Sequence, residues 1–495
     1  MRLMALLGLL VFESCLKVDT INTDNWQPEI AFPLIYSNIK ITDFLNNTDA
    51  SDYYEVDSTT NFLTLVYQDQ ILSPPTEDFI SIDDFGMIIP DSVVGIPPDY
   101  FPFDQTIRKF RVKSGTLSYT ITSSIPGIID LNVQFFNITH DGHNLAQYNT
   151  IENNGTDPRV ITGTIDLAGY EIDFSQHFVV MYRATDNDGN RYLMDAVNYT
   201  FENMEFSYLE GDFGGVEFEV PQSSFLIDIL DRSVGGDFYL DDPKIHFDID
   251  NYIGFPIILS ALELQAANQD GTLIPFTSPL DNGIALNFPS MSEIGMSSRT
   301  RFTLDKTNSN ILEVVNAFPK QLDYRLKGTT QSTLPDSLSF AIDTSKMKVT
   351  LGVELPLYGR VKNLIYESVG DLDPTDLMEG ENIEFKLYTE NGYPLEVGFQ
   401  VYFEDAQGMV VDSLADANNP IFVASGEVNS DGVVVNSTTS DISVMMARDK
   451  IEKLENVTQF RVQARLTTVN NGTTSVRFLD TYELKLNIGA KVLIQ

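Results

Sequence analysis

The sequence predicts a mainly β protein, built as tandem antiparallel β-sandwich domains with a few short helices. Three observations predict it. Apolar and polar residues alternate along many short runs, which buries one face of each strand and leaves the other in water. Turn signals containing glycine separate those runs. A unit of about 130–140 residues recurs three times, too long a period for a solenoid and suited to a domain array.

Each copy opens with an alternating strand that runs into a proline. The openings are Leu117-Ser-Tyr119-Thr-Ile121 before Pro126, Phe247-Asp-Ile249-Asp-Asn251 before Pro256, and Phe385-Lys-Leu387 before Pro394. A second alternating strand follows each proline, around residues 131–135, 261–264 and 399–403. Each then reaches a polar turn: Asp141-Gly142, Asp270-Gly271 and Gln407-Gly408. Glycine there supplies the positive φ of a tight hairpin. Each copy closes on what reads as a hairpin of long strands, with returns through Tyr192, Leu338 and Val476.

Two helices are expected ahead of the closing hairpins. Ile311, Leu312, Val314, Val315 and Phe318 follow a 3.6 period, and Ile442, Met445, Met446 and Ile451 follow it more loosely. Residues 16–105 do not fit the repeat. The stretches 30–45 and 62–72 read as strands of a small extra layer, followed by a proline-rich segment, Ile96-Pro-Pro-Asp-Tyr100-Phe101-Pro-Phe103. The expected organisation is a signal peptide (1–14), a lipidated cysteine and tether (15–27), a small N-terminal β/loop region (28–105), and sandwiches at 106–234, 235–366 and 367–495.

The N-terminus carries the most specific signal. Arg2 precedes an uncharged apolar run, Leu3 to Phe12, and Glu13-Ser14 leads to Cys15, the only cysteine in the chain. The run has the length of a signal h-region and is too short to span a bilayer. Cysteine at this place resembles the lipobox of bacterial lipoproteins, in the relaxed form found in Bacteroidetes-type bacteria. Ser14 fits that box, while Phe12 and Glu13 depart from it. The resemblance implies a thiol that takes a diacylglycerol and becomes the new N-terminus. With tandem immunoglobulin-like sandwiches behind a short tether, the whole chain resembles outer-membrane or surface lipoproteins of those bacteria. Asp19-Thr20-Ile21, Asp91-Ser92-Val93, Asp336-Ser337-Leu338 and Asp412-Ser413-Leu414 also resemble the O-glycosylation signal of their secreted proteins.

Composition narrows the function. In 495 residues, 43% hydrophobic content suffices for packed cores. With one cysteine no disulfide forms within the chain, so burial alone must hold the fold. The net charge of −40 repels phosphate backbones, which argues against nucleic-acid binding. No Gly-x-Ser-x-Gly elbow or phosphate-cradling loop occurs, and no pair of carboxylates stands out by context, so a non-enzymatic protein is expected.

Few residues remain as candidate sites. Ile96, Tyr100, Phe101 and Phe103 lie on a proline-stiffened segment that could offer rings to a partner, or could instead cap the first sandwich with those rings buried. Asp186, Asp188, Asn190 and Asp195 have the start of a calcium loop, but Asp195 stands where Glu is usual, and a hairpin turn is the favoured reading. No other cofactor is expected. His140 and His143 flank a turn, and two ligands do not make a metal site. The expected role is a lipid-anchored structural or accessory binding subunit of an outer-membrane complex, partnered by a barrel or another envelope protein. Surface glycan binding is the alternative, weakened by the single tryptophan, Trp26.

Overall fold

The computed structural model describes residues 29–41, 54–101, 106–226, 235–268, 271–317, 319–332, 339–372, 374, 378, 381–416 and 420–493. Strands take 63% of the chain and helices 8%, so the protein is mainly β. Every pairing between the described strands is antiparallel, as expected of two-layer sandwiches with one wet face per sheet.

The three copies share one plan. The opening strand of each pairs with its closing strand: Thr106–Ser123 with Ala196–Asp212, Lys244–Asn251 with Met347–Pro356, and Asn382–Asn391 with Glu483–Leu493. The second strand pairs with the penultimate one: Gly127–His140 with Phe178–Thr185, Ile257–Asn268 with Pro319–Thr330, and Leu395–Glu404 with Gln459–Thr468. In the second and third copies these pairs lie in two separate sheets. In the first, the short strand Glu171–Asp173 pairs with both layers and joins them into one wrapped sheet of 11 strands.

A buried polar side chain turns the chain out of each opening strand. Ser123, Asn251 and Asn391 are all buried, and each accepts a hydrogen bond from the N–H two residues on: Ile125 (3.2 Å), Ile253 (3.0 Å) and Tyr393 (2.9 Å). This is the local side-chain-to-backbone bond that Ser and Asn offer in place of a ladder.

The expected closing hairpins are crossovers instead. The strand Phe178–Thr185 pairs with Arg191–Tyr192 over only two residues before the chain passes to the other layer. The corresponding strands of the other copies likewise lie in different sheets. Alternation fixes which face of a strand is buried but not the sheet it joins, and links of this length can cross a sandwich about 10 Å thick. One helix forms where expected, Ile311–Asn316, while Phe318 lies outside the described residues. The other is displaced: Thr438–Ala447 is a strand, and Arg448–Lys453 is the helix. Ile442, Val444 and Met446 also alternate at period two, and pairing with Asn382–Asn391 decides for that period.

The described strands within residues 28–105 form no layer of their own. They serve the three sandwiches in reverse order. Glu29–Lys40 is an edge of the third, Leu63–Leu72 adds to the second through Met347–Pro356, and Phe85–Ile88 and Val93–Ile96 add to the first. Later segments are exchanged as well. Glu217–Leu226 joins the second sandwich, Gly235–Leu240 and Tyr358–Asp371 join the third, and Ser339–Ile342 pairs back onto the first. Salt links follow the same weave, with Lys113 bridging Glu77 (2.5 Å) and Asp343 (3.1 Å).

The core reflects this weaving. One continuous hydrophobic cluster runs from Leu65 to Leu355 and fills the first two sandwiches. Phe213 and Phe255 bridge them at 5.3 Å between ring centroids, and Phe79 stacks on Phe218 at 4.2 Å. Gly254 bridges to Phe340, and its missing side chain makes room for the ring. Separate smaller clusters fill the third sandwich.

Candidate functional site

Cys15 and Phe103 lie outside the described residues, as does Trp26. Ile96 and Phe101 are buried, so these side chains are not open to a partner. Ile96 pairs with Phe178, and Phe101 meets Phe85, Phe174 and Phe178 edge-on in the first core. The strand Val93–Ile96 draws them in by joining the sheet beside Phe178–Thr185. Tyr100, at 55% exposure, is the one member of the set among the described residues that faces water.

The Asp186 loop is a turn whose carboxylate is fully engaged. Asp186 Oδ1 accepts from the N–H groups of Asp188 and Asn190 (both 2.9 Å), and Oδ2 accepts from Asn190 Nδ2 (2.9 Å) and the Tyr192 hydroxyl (2.8 Å). The Asn190 amide, and then the Tyr192 hydroxyl, hold this carboxyl down at about 2. Asp195 accepts instead from Ser124 Oγ (2.5 Å), so the structure does not direct it with Asp186 onto one point. The same turn recurs at Asp405 and at Asn429, where a neutral amide oxygen takes the two N–H bonds. The fold therefore requires an Asx oxygen here, whatever its charge. Among the described residues no group of three or more His, Cys, Asp or Glu is placed to hold a metal ion.

The histidine pair sits across a two-residue turn, with His140 opposite His143 and positive φ at Asp141 and Gly142. His140 packs at 5.0 Å from the Tyr170 ring. Of the four Asp-Ser/Thr triplets, those at Asp19 and Asp336 lie outside the described residues; Asp412 is paired with Lys453 (2.9 Å), while Asp91 accepts from the Ser92 N–H (2.6 Å) ahead of an edge strand. The most enclosed charges are also paired: Arg461 Nε meets Glu404 (2.7 Å) and its Nη1 meets Glu367 (2.8 Å).

One outward sheet face carries two exposed tyrosines among its charged residues. In the third sandwich the pairing sets Tyr36, Asn487, Tyr388 and Asp441 in a row across four strands. Leu387, Ile442, Val444 and Ile488 on the opposite face belong to the core, so the row faces outward. Tyr36 is 85% exposed and Tyr388 46%. Two strand spacings separate them, about 10 Å. Among the described residues Asn487 makes no side-chain hydrogen bond, and its Oδ1 is closed to water. Neighbouring lysines are neutralised, Lys386 by Glu384 (3.8 Å) and Lys485 by Glu390 (3.1 Å) and Glu483 (3.2 Å). The Asn38 amide, and then Lys485, keep Glu483 below the usual carboxylate range. Sequence reasoning passed over this row. Its only local signal is an aromatic among Glu384, Lys386 and Glu390 on the polar phase of a strand, and the partner Tyr36 is far away in sequence.

No protein-family model matches the chain, and no curated protein does. Among solved structures it is similar to a protein from Parabacteroides distasonis proposed to be secreted, at 14% identity and a TM-score of 0.33, over 58% of this chain and 89% of that one. It is also similar to the VP2 protein of infectious bursal disease virus, in a subviral particle, at 10% identity and a TM-score of 0.16, over 79% of this chain and 74% of that one. A third likeness is to the tandem N-terminal CBM22 domains of Xyn10C from Paenibacillus barcinonensis, at 8% identity and a TM-score of 0.13, over 58% and 86%. All three likenesses are too distant to bear on function.

Proposed function

We propose that this chain is a lipid-anchored, non-enzymatic protein of the bacterial outer membrane, a structural or accessory binding subunit whose immunoglobulin-like sandwiches dock on a barrel or another envelope protein. The junction between tether and fold carries this reading. Directly after the tether 15–27, Glu29–Lys40 enters the third sandwich as an edge strand, with Glu29 opposite Leu493. Tyr393 clamps its end, its hydroxyl accepting from the Ile41 N–H (2.7 Å). Acyl chains on Cys15 would thus hold an edge strand of the third sandwich, and shared strands would carry that hold to the other two sandwiches. The test is extraction of native membranes in mild detergent followed by purification of the chain. Co-purification with a barrel supports the reading, and recovery only as a free monomer contradicts it.

Surface glycan capture is the second reading. The exposed Tyr36–Asn487–Tyr388–Asp441 row favours it.

A further inference from the structure

We infer that the outer face of the third sandwich, around Tyr36, Asn487, Tyr388 and Asp441, is a binding platform for an extended, neutral polysaccharide. This deepens the glycan reading and rests on it. The water-facing side of an antiparallel sheet is ordinarily polar. Two tyrosines stand on it with their rings in water, and each ring has an apolar face and a polar tip. They lie on the second and fourth strands from one edge counted through Asn487's neighbours, so that a single strand separates them and an apolar surface is offered at two points about 10 Å apart. A chain of pyranose rings has matching chemistry: apolar C–H faces to lie on aromatic rings, and hydroxyls around the rim.

The polar groups between and beside the rings suit hydroxyls. Asn487 stands between the tyrosines; its Oδ1 is closed off from the surface, and its Nδ2 donates no hydrogen bond among the described residues, which leaves the amide nitrogen for a hydroxyl. Asp441, exposed at the end of the row, accepts no hydrogen bond and forms no ion pair among the described residues, which leaves its oxygens for hydroxyl donors. Next to the row, Gly489 lies opposite Lys386 and adds no side chain, so the floor stays low. Charge selects the same ligand. The lysines flanking the row are matched by Glu384, Glu390 and Glu483, and a net charge of −40 repels polyanions. The platform is also stiff, because its residues are fixed by a ladder, and little order is lost on binding.

Affinity gels decide the matter, run with the full mature chain in mild detergent. Hydroxyethylcellulose and glucomannan serve as neutral extended probes, and polygalacturonate as the polyanionic one. The expected result is retardation by the neutral probes and none by polygalacturonate. Tyr36→Ala and Tyr388→Ala should each weaken retardation about tenfold. The Phe substitutions at both positions should retain most of it, with melting temperatures unchanged throughout. No retardation by either neutral probe would overturn the platform and the glycan reading together. Retardation that survives the double Ala variant would overturn the platform alone.

Discussion

Asn251 and Asn391 hold the same place in two different sandwiches. They are 0% and 1% exposed, each ends an opening strand, and each accepts from the N–H two residues on. Their amide nitrogens reach across to other segments, from Asn251 to the Asn287 carbonyl (3.0 Å) and from Asn391 to the carbonyls of Leu395 (2.9 Å) and Ala424 (2.8 Å). One side chain therefore fixes both the exit of the strand and its contact with a neighbouring loop. Asn391→Ala strands a buried N–H and two carbonyls, and should cost about 2–4 kcal/mol. Asn251→Ala, with one carbonyl fewer, should cost less. Denaturant unfolding checks both, and a loss under about 0.5 kcal/mol for Asn391→Ala, within the range of ordinary surface changes, would show that the amide is not structural.

Gly254 should tolerate no side chain. A Cβ there would stand 2.3 Å from ring atoms of Phe340, which is fully buried where the strand Ser339–Ile342 pairs back onto the first sandwich. Gly254→Ala should destabilise by about 1–3 kcal/mol through overpacking. Gly155→Ala, where a Cβ would meet nothing nearer than 3.9 Å and the backbone has no positive φ, serves as the control, since both changes add one methyl group. Equal stability of Gly254→Ala and the parent protein would place the ring elsewhere.

Deleting residues 29–41 should weaken the third sandwich selectively. The strand Glu483–Leu493 would become an edge, and the hydrogen bond to the Tyr393 hydroxyl would be lost. Hydrogen exchange should quicken at residues 483–493 and in the adjoining Asn382–Asn391, while the shared core of the first two sandwiches keeps its protection. Uniform loss of protection over all three would contradict the separate packing of the third.

The Asp186 turn predicts an acid dependence. Its carboxyl is depressed to about 2, against an unfolded value of about 3.9. A depressed carboxyl contributes stability that is full above the unfolded value and is lost as pH falls toward the folded one. The stability gap between the parent protein and Asp186→Asn should therefore narrow from about pH 4 down to pH 2. Since four donors already engage the two oxygens, millimolar calcium should leave the melting temperature unchanged. A rise with calcium that Asp186→Asn abolishes would show that the loop rebuilds around the cation.

Much of the fold was legible because local chemistry repeats. The opening strands, the turn at Asp141-Gly142 and the helix at Ile311 follow from alternation, positive φ and the 3.6 period. The weave was not legible. Nothing in the alternation at 63–72 names Met347–Pro356 as its partner, and nothing at 29–40 names Glu483–Leu493, since pairing over such separations is settled by the whole core. The tyrosine row was hidden for the same reason. Tyr36 and Tyr388 become neighbours only through Asn487, which belongs to a third distant segment.

Replacement of Cys15 by serine tests the lipid-anchor account most directly. In native cells fed labelled fatty acid, the parent chain should take up label and sediment with membranes, whereas Cys15→Ser should carry no label, keep its leader and leave the lipid-modified fraction. A Cys15→Ser chain that is processed at the same bond and stays with the membranes would contradict it.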